Sequence, residues 1–160
     1  MPPTVAWTAT PVPASPTFTS TAVPPTATAV VNSPAASETV YDDKDGRFVY
    51  SSGWQDVVKN QAYGGSFKTT NQNGSQVTFA FTGQSFSVIY KSGPAFRKMD
   101  VYVDNVLVGT IDERTSTSTF QLRWNYPAQL TPGDHVLKLV FVTPNTSGKT
   151  NGSIDAVIVR

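Results

Sequence analysis

The stretch Val77-Thr78-Phe79-Ala80-Phe81-Thr82-Gly83-Gln84-Ser85-Phe86-Ser87-Val88-Ile89-Tyr90 decides the fold class. Val77, Phe79 and Phe81 alternate with small or hydroxylated residues, and Gly83-Gln84 breaks the run. Phe86, Val88 and Tyr90 then alternate with Ser85 and Ser87. Successive side chains of a strand point to opposite faces, so a period of two describes strands that bury one face. The pattern continues in both directions. Met99, Val101 and Val103 run into Asp104-Asn105, a tight-turn pair, and Phe120, Leu122 and Trp124 form another run. Leu137, Leu139 and Phe141 follow Pro132-Gly133-Asp134, and Ile154, Ala156 and Ile158 close the chain as an expected single face. Only Gln55–Gln61 admits a turn of helix. Half-buried strands punctuated this regularly pack as two antiparallel sheets face to face, so the expected class is an all-β sandwich.

Upstream, the physics changes. Residues 1–37 carry no charge and hold eight of the twelve prolines together with eight threonines. Proline fixes φ and removes an amide donor, which favours extended chain over helix or central strand. The expected division is a Pro/Thr-rich linker or docking arm over 1–38 and a sandwich domain over 39–160. Trp7 and Phe18 are costly to expose, and they favour the docking reading of that arm.

Composition removes several function classes. Twelve Lys+Arg against eleven Asp+Glu leave a net charge of +1, so no basic surface for nucleic acid is expected. No apolar run approaches the roughly 18 residues that span a bilayer. Met1-Pro2-Pro3-Thr4 lacks the basic end and apolar core of a signal peptide. Cysteine is absent, which excludes a disulfide framework and a thiolate nucleophile. His135 is the only histidine and no Gly-x-Ser-x-Gly elbow is present, so a serine triad lacks its parts. The two glutamates, Glu38 and Glu113, do not make a glycosidase pair; Asp112-Glu113 reads as a solvated turn. The chain is expected to be non-catalytic.

Two constellations carry binding chemistry. Asp42, Asp43 and Asp45 form an acidic cluster with Gly46, and hard oxygen ligands suit calcium. The aromatic residues Trp54, Tyr63, Phe96, Trp124 and Tyr126, with Arg97 beside Phe96, are the candidates for a glycan site. Sugars lay C–H faces on rings while charged side chains fork to hydroxyls. For Trp54 and Tyr63 the competing reading is packing between the sheets. Asn73-Gly74-Ser75, Asn145-Thr146-Ser147 and Asn151-Gly152-Ser153 fit the glycosylation sequon, although Asn-Gly is better explained as hairpin chemistry.

Several segments together resemble a galactose-binding-like jelly-roll domain of secreted bacterial proteins, akin to carbohydrate-binding modules. They are Tyr50-Ser51-Ser52-Gly53-Trp54, Ala62-Tyr63-Gly64-Gly65-Ser66-Phe67, Val77–Gly83, Lys91-Ser92-Gly93-Pro94, Val101-Tyr102-Val103-Asp104, Leu130–Leu137 and Asp155-Ala156-Val157-Ile158-Val159. The resemblance covers about residues 41–160. It implies an extracellular or cell-surface module that binds a glycan or polysaccharide, and a structural calcium held by N-terminal acids and Asp155 on the last strand. Two alternatives stand beside it. One is a subunit of an extracellular filament or surface layer, a homo-oligomer assembled through residues 1–38; the other is the ectodomain of a membrane-anchored receptor.

Overall fold

The computed structural model describes residues 37–143 and 150–160. The chain divides into two units at Ser33/Pro34, and only the second holds described residues. The proposed arm through residue 36, its oligomeric role and the sequon at Asn145 therefore lie outside the described residues.

The strands are β1 (Thr39–Asp42), β2 (Phe48–Tyr50), β3 (Trp54–Val58), β4 (Ser66–Thr70), β5 (Gln76–Thr82), β6 (Phe86–Ser92), β7 (Lys98–Val103), β8 (Val106–Asp112), β9 (Thr119–Asn125), β10 (Asp134–Val142), β11 (Gly152–Ile154) and β12 (Ala156–Val159). Tyr63–Gly65 forms a 3-10 turn. Residues 54–58 are thus strand, where one helical turn was admissible. One sheet has the order β2-β5-β10-β7-β8, with every pair antiparallel. Facing it are β1-β12-β6-β9 and β11-β4-β3. These last two are joined because β11 and β12 run along β6 in succession, with Asp155 N–H donating to Ile89 O at 2.9 Å. The result is the two-sheet jelly roll expected from the alternation.

The runs of period two supply the core between the sheets. Phe79, Phe86, Met99, Leu137, Leu139 and Phe141 are each no more than 1% exposed. Burying a side chain of that size is worth about 1.5–3 kcal/mol relative to water. Asp104 and Asn105, both at positive φ (50° and 68°), make the expected tight turn between β7 and β8. Gly74 at φ 83° likewise suits the β4–β5 connection. Asn151-Gly152 does not follow the hairpin reading. Gly152 begins β11 against the core, where a Cβ would lie 2.5 Å from Phe141 and 2.6 Å from Met99 Sδ.

Two strands depart from simple alternation. Ile154 joins the main core, whereas Ala156 and Ile158 pack on the outer face with Ile89 and Val40. The face switches at Asp155, where the strand leaves β4 and takes up β1 as neighbour. In β9, Gln121 has φ 54° and the pairing with β6 slips between Tyr90 and Ser92. Such a bulge re-aims side chains. Phe120 accordingly joins an outer cluster with Ala62, Phe67 and Phe96, while Trp124 packs on the main core.

Glu113 corrects the solvated-turn reading. It is fully buried, and its carboxylate accepts from Ser153 N at 2.9 Å and Ser153 Oγ at 3.2 Å. Burial raises its pKa well above the ordinary range, opposed by the Ser153 hydrogen bonds.

His135 is also a structural residue. Nδ1–H donates to Asp104 Oδ2 at 2.7 Å and Nε2–H to Thr131 O at 2.8 Å. Both partners are acceptors, so the ring is satisfied as the imidazolium. The Asp104 hydrogen bond raises the His135 pKa, and the same bond lowers that of Asp104. The stability from His135 is therefore present in full below its unfolded value near 6.5 and lost as pH rises through the raised folded value. His135→Ala should cost about 1–2 kcal/mol at pH 6, discounted because Asp104 is half in water. Urea melts at pH 6 and pH 9 should show that cost shrinking at the higher pH; an equal cost at both would contradict a charged ring.

Candidate functional site

The turn between β1 and β2 separates two clefts. It is fixed by its own backbone, with Asp45 N–H donating to Asp42 O at 2.8 Å and Phe48 N–H to Asp45 O at 3.0 Å.

On one side lies a cleft of about 470 Å³ lined by Tyr41, Arg47, Thr82, Asp134, His135 and Val136. The Tyr41 ring rests against Phe79 at 5.3 Å, and the Arg47 guanidinium lies 4.2 Å from its centroid. Thr82 and Asp134 are directly paired across β5 and β10, and Thr82 Oγ1 donates to Asp134 Oδ1 at 2.5 Å. Beside them Val136 presents an apolar surface that is 44% exposed. One cleft thus holds a ring, a guanidinium, a carboxylate with a hydroxyl, and an aliphatic wall. Those are the groups that recognise a polyol with an apolar face.

On the other side is a cleft of about 370 Å³ lined by Asp43, Asp45, Tyr50, Asp56 and Lys68 among others. The Asp43 side chain is fully buried and neither of its carboxylate oxygens has a hydrogen-bond partner. Burial pushes its pKa up to about 7, helped by the neighbouring Asp42 carboxyl. Asp155, also fully buried, accepts from Tyr63 N–H at 3.0 Å, and burial raises its pKa to about 6 with Asp42 adding to the rise. Backbone joins the two acids, because Asp43 N–H donates to Asp155 O at 3.0 Å. Gly64, at φ 61°, allows the 3-10 turn to close on Asp42, since a Cβ there would collide with Asp42 Oδ2. The acids that come together are Asp42, Asp43 and Asp155. Asp45 turns toward Arg47, accepting its N–H at 3.0 Å and facing its guanidinium at 3.9 Å. Among the described residues, no three His, Cys, Asp or Glu side chains already form a metal-ligating set.

The aromatic candidates do not converge. Trp54 packs edge-on against Tyr50 at 5.5 Å and donates Nε1–H to Gln76 O at 3.1 Å. Trp124 packs against Phe86 at 6.1 Å and covers Gly109, and Tyr126 stacks on Phe86 at 5.1 Å. Phe96 is 7% exposed, with Lys91 Nζ 4.1 Å from its centroid. Arg97 spends Nη1 on the carbonyls of Pro94 and Phe96. Tyr63, 38% exposed beside the acidic cluster, is the most open of the six. Tyr41, Arg47, Thr82 and Asp134 were not singled out from sequence. Their only local signal is the polar pair Thr82 and Asp134 at strand ends.

The fold is an all-β jelly roll similar to that of solved carbohydrate-binding modules. A family 35 carbohydrate-binding module from Clostridium thermocellum superposes at a TM-score of 0.58 with 17% identity, covering 77% of this chain and 97% of that one. The CBM36-1 domain of a multidomain xylanase from the hindgut metagenome of Trinervitermes trinervoides gives 0.55 with 12% identity, over 76% and 95% of the two chains. In sequence, the chain is 29% identical over 111 residues to an A type blood N-acetyl-alpha-D-galactosamine deacetylase of Flavonifractor plautii. The match takes in 69% of this chain but spans only 14% of that relative's length. No protein-family profile matches the chain.

Proposed function

We propose that the chain is a non-catalytic, extracellular glycan-binding module whose site is the cleft of Tyr41, Arg47, Thr82 and Asp134. The observation that carries this reading is the convergence of ring, guanidinium and carboxylate in one cleft of about 470 Å³. Arg47 and Asp134 would fork to adjacent hydroxyls, while Val136 takes a C–H face and the Tyr41 ring holds the guanidinium in place. The deacetylase relative is named for a galactosamine glycan, which favours a galacto-configured ligand; its catalytic activity belongs to that larger protein. His135 supports a non-catalytic role, because both ring nitrogens are engaged. Affinity at one such shallow site is weak, and display in several copies would raise it.

A glycan array probed with the full chain tests the reading. Binding is expected among galacto-configured glycans, with Arg47→Ala and Asp134→Ala each lowering affinity at least tenfold and leaving the melting temperature within a few degrees. Binding unchanged in both variants would place the site elsewhere.

We also propose that calcium binds at Asp43, beside the second cleft. The support is the pair of orphaned, buried Asp43 oxygens beside Asp42 and Asp155. These three acids would hold the ion, with backbone carbonyls completing an oxygen shell of the kind calcium takes. Bound there, it would neutralise the acids and stiffen the turn that carries Arg47.

A further inference from the structure

The outer face of the four-stranded sheet carries a cluster that shares no residue with either cleft. Arg123 forks onto the Glu38 carboxylate, Nη2 to Oε1 at 2.7 Å and Nη1 to Oε2 at 3.3 Å. Arg160 reaches the same Oε1 through Nε at 2.8 Å and Nη2 at 2.7 Å. Behind them, Asn125 Oδ1 accepts from Arg123 Nε at 2.9 Å and from Ser87 Oγ at 2.8 Å. Ser87 is fully buried, and its Oγ also accepts from Arg160 Nη2 at 3.3 Å.

The two sides of this contact come from different parts of the sheet. Ser87 and Asn125 are paired residues of β6 and β9, Arg123 stands two places along β9, and Arg160 directly follows β12 with its N–H bonded to Ser85 O. Glu38 precedes β1, belongs to no strand and is 42% exposed. Two oriented guanidiniums are thus held on the sheet, and their occupant is the exposed side chain of the residue that precedes β1. Two guanidiniums against one carboxylate leave one positive charge over. Planar bidentate recognition of a carboxylate is what arginine does best.

We propose that Arg123, Arg160, Asn125 and Ser87 form a subsite for the carboxylate of a uronic-acid residue, and that Glu38 is its internal stand-in. The glycan part of this assignment rests on the glycan-binding reading above. An acidic glycan must displace Glu38, so removing the Glu38 charge should open the subsite.

The test uses the full chain as wild type, Glu38→Gln, Glu38→Ala and the double variant Glu38→Gln with Arg123→Gln. The probes are trigalacturonate, neutral galactotriose, sodium acetate and a Glu-rich peptide, followed by calorimetry and by the arginine Nε–H resonances. Thermal melts confirm that each variant folds. Trigalacturonate should bind Glu38→Gln and Glu38→Ala at least tenfold more tightly than wild type, shifting Arg123 and Arg160 and weakening with salt. The double variant should lose this gain, and galactotriose should not distinguish the four proteins. Trigalacturonate binding that ignores Glu38 would overturn the proposal. So would equal gains for acetate or the peptide, which would mark an unselective anion contact. Failure of all neutral glycans with the Glu38 effect intact would remove the cleft reading and leave the carboxylate subsite standing.

Discussion

Phe79→Ala is expected to lower unfolding stability by about 3–5 kcal/mol and to abolish binding in the Tyr41 cleft together. Phe79 is 1% exposed and stands where the two sheets meet at their β1 and β2 edges. Its ring touches Phe48 at 4.6 Å, Tyr41 at 5.3 Å and Phe81 at 6.2 Å. Truncation removes the buried ring and leaves a cavity that β-sheet backbone cannot collapse to fill. The same ring supports Tyr41 from below, so the cleft loses its aromatic floor. Phe79→Leu separates the effects. It keeps much of the volume, so most of the stability should survive in a urea melt while glycan affinity falls. Intact binding in Phe79→Leu or Phe79→Ala would show that Tyr41 does not depend on this support.

The second large effect concerns Asp43. A carboxylate whose folded pKa is raised from 3.8 to about 7 is protonated more readily in the folded chain. Its contribution is therefore present in full below pH 3.8 and is lost as pH rises to about 7, beyond which the curve flattens. A shift of this size corresponds to roughly 2–4 kcal/mol, taken as an order of magnitude. Without added cation, stability should fall between pH 4 and pH 7. Calcium should reverse this, because it binds the deprotonated acid and stabilises by mass action. One millimolar calcium should raise the melting temperature at pH 7.5 by several degrees and have little effect at pH 4.5. Asp43→Asn should shrink the pH slope to the part owed to Asp155 and Glu113 and remove the calcium response, whereas Asp45→Asn should keep both, since Asp45 faces Arg47. A calcium response that survives Asp43→Asn would move the ion elsewhere.

These expectations depend on geometry that was unevenly visible in the sequence. The sandwich was legible because burial on one face of a strand writes itself as a period of two. Val77-Phe79-Phe81 and Leu137-Leu139-Phe141 face the core as their spacing implies, with Leu137 opposite Phe79 and Leu139 opposite Val77. Where the backbone bulges, that signal fails. Nothing in the string Ile154-Asp155-Ala156 announces that the strand changes neighbours at Asp155, and the faces of 154 and 156 differ for that reason. Glu113 was misread because its partner, Ser153, is forty residues away.

The cleft was the least legible part. Tyr41, Arg47, Thr82 and Asp134 lie on three strands and one turn, and only the β1–β2–β5–β10 neighbourhood assembles them. Loop aromatics drew attention instead, yet Phe96 closes a second small core and Tyr126 caps Phe86. The acidic cluster was half visible. Asp43 and Asp155 do approach each other, and Asp42 joins them through the missing side chain of Gly64, whereas Asp45 turns to Arg47.

The glycan-binding claim is tested most directly by a nuclear magnetic resonance titration of the full chain with the best galacto-configured ligand from the array. Amide shifts should saturate and cluster at Tyr41, Arg47, Thr82 and Asp134, and they should disappear in Arg47→Ala. Saturating shifts that cluster away from this cleft, or none with any glycan, would contradict it.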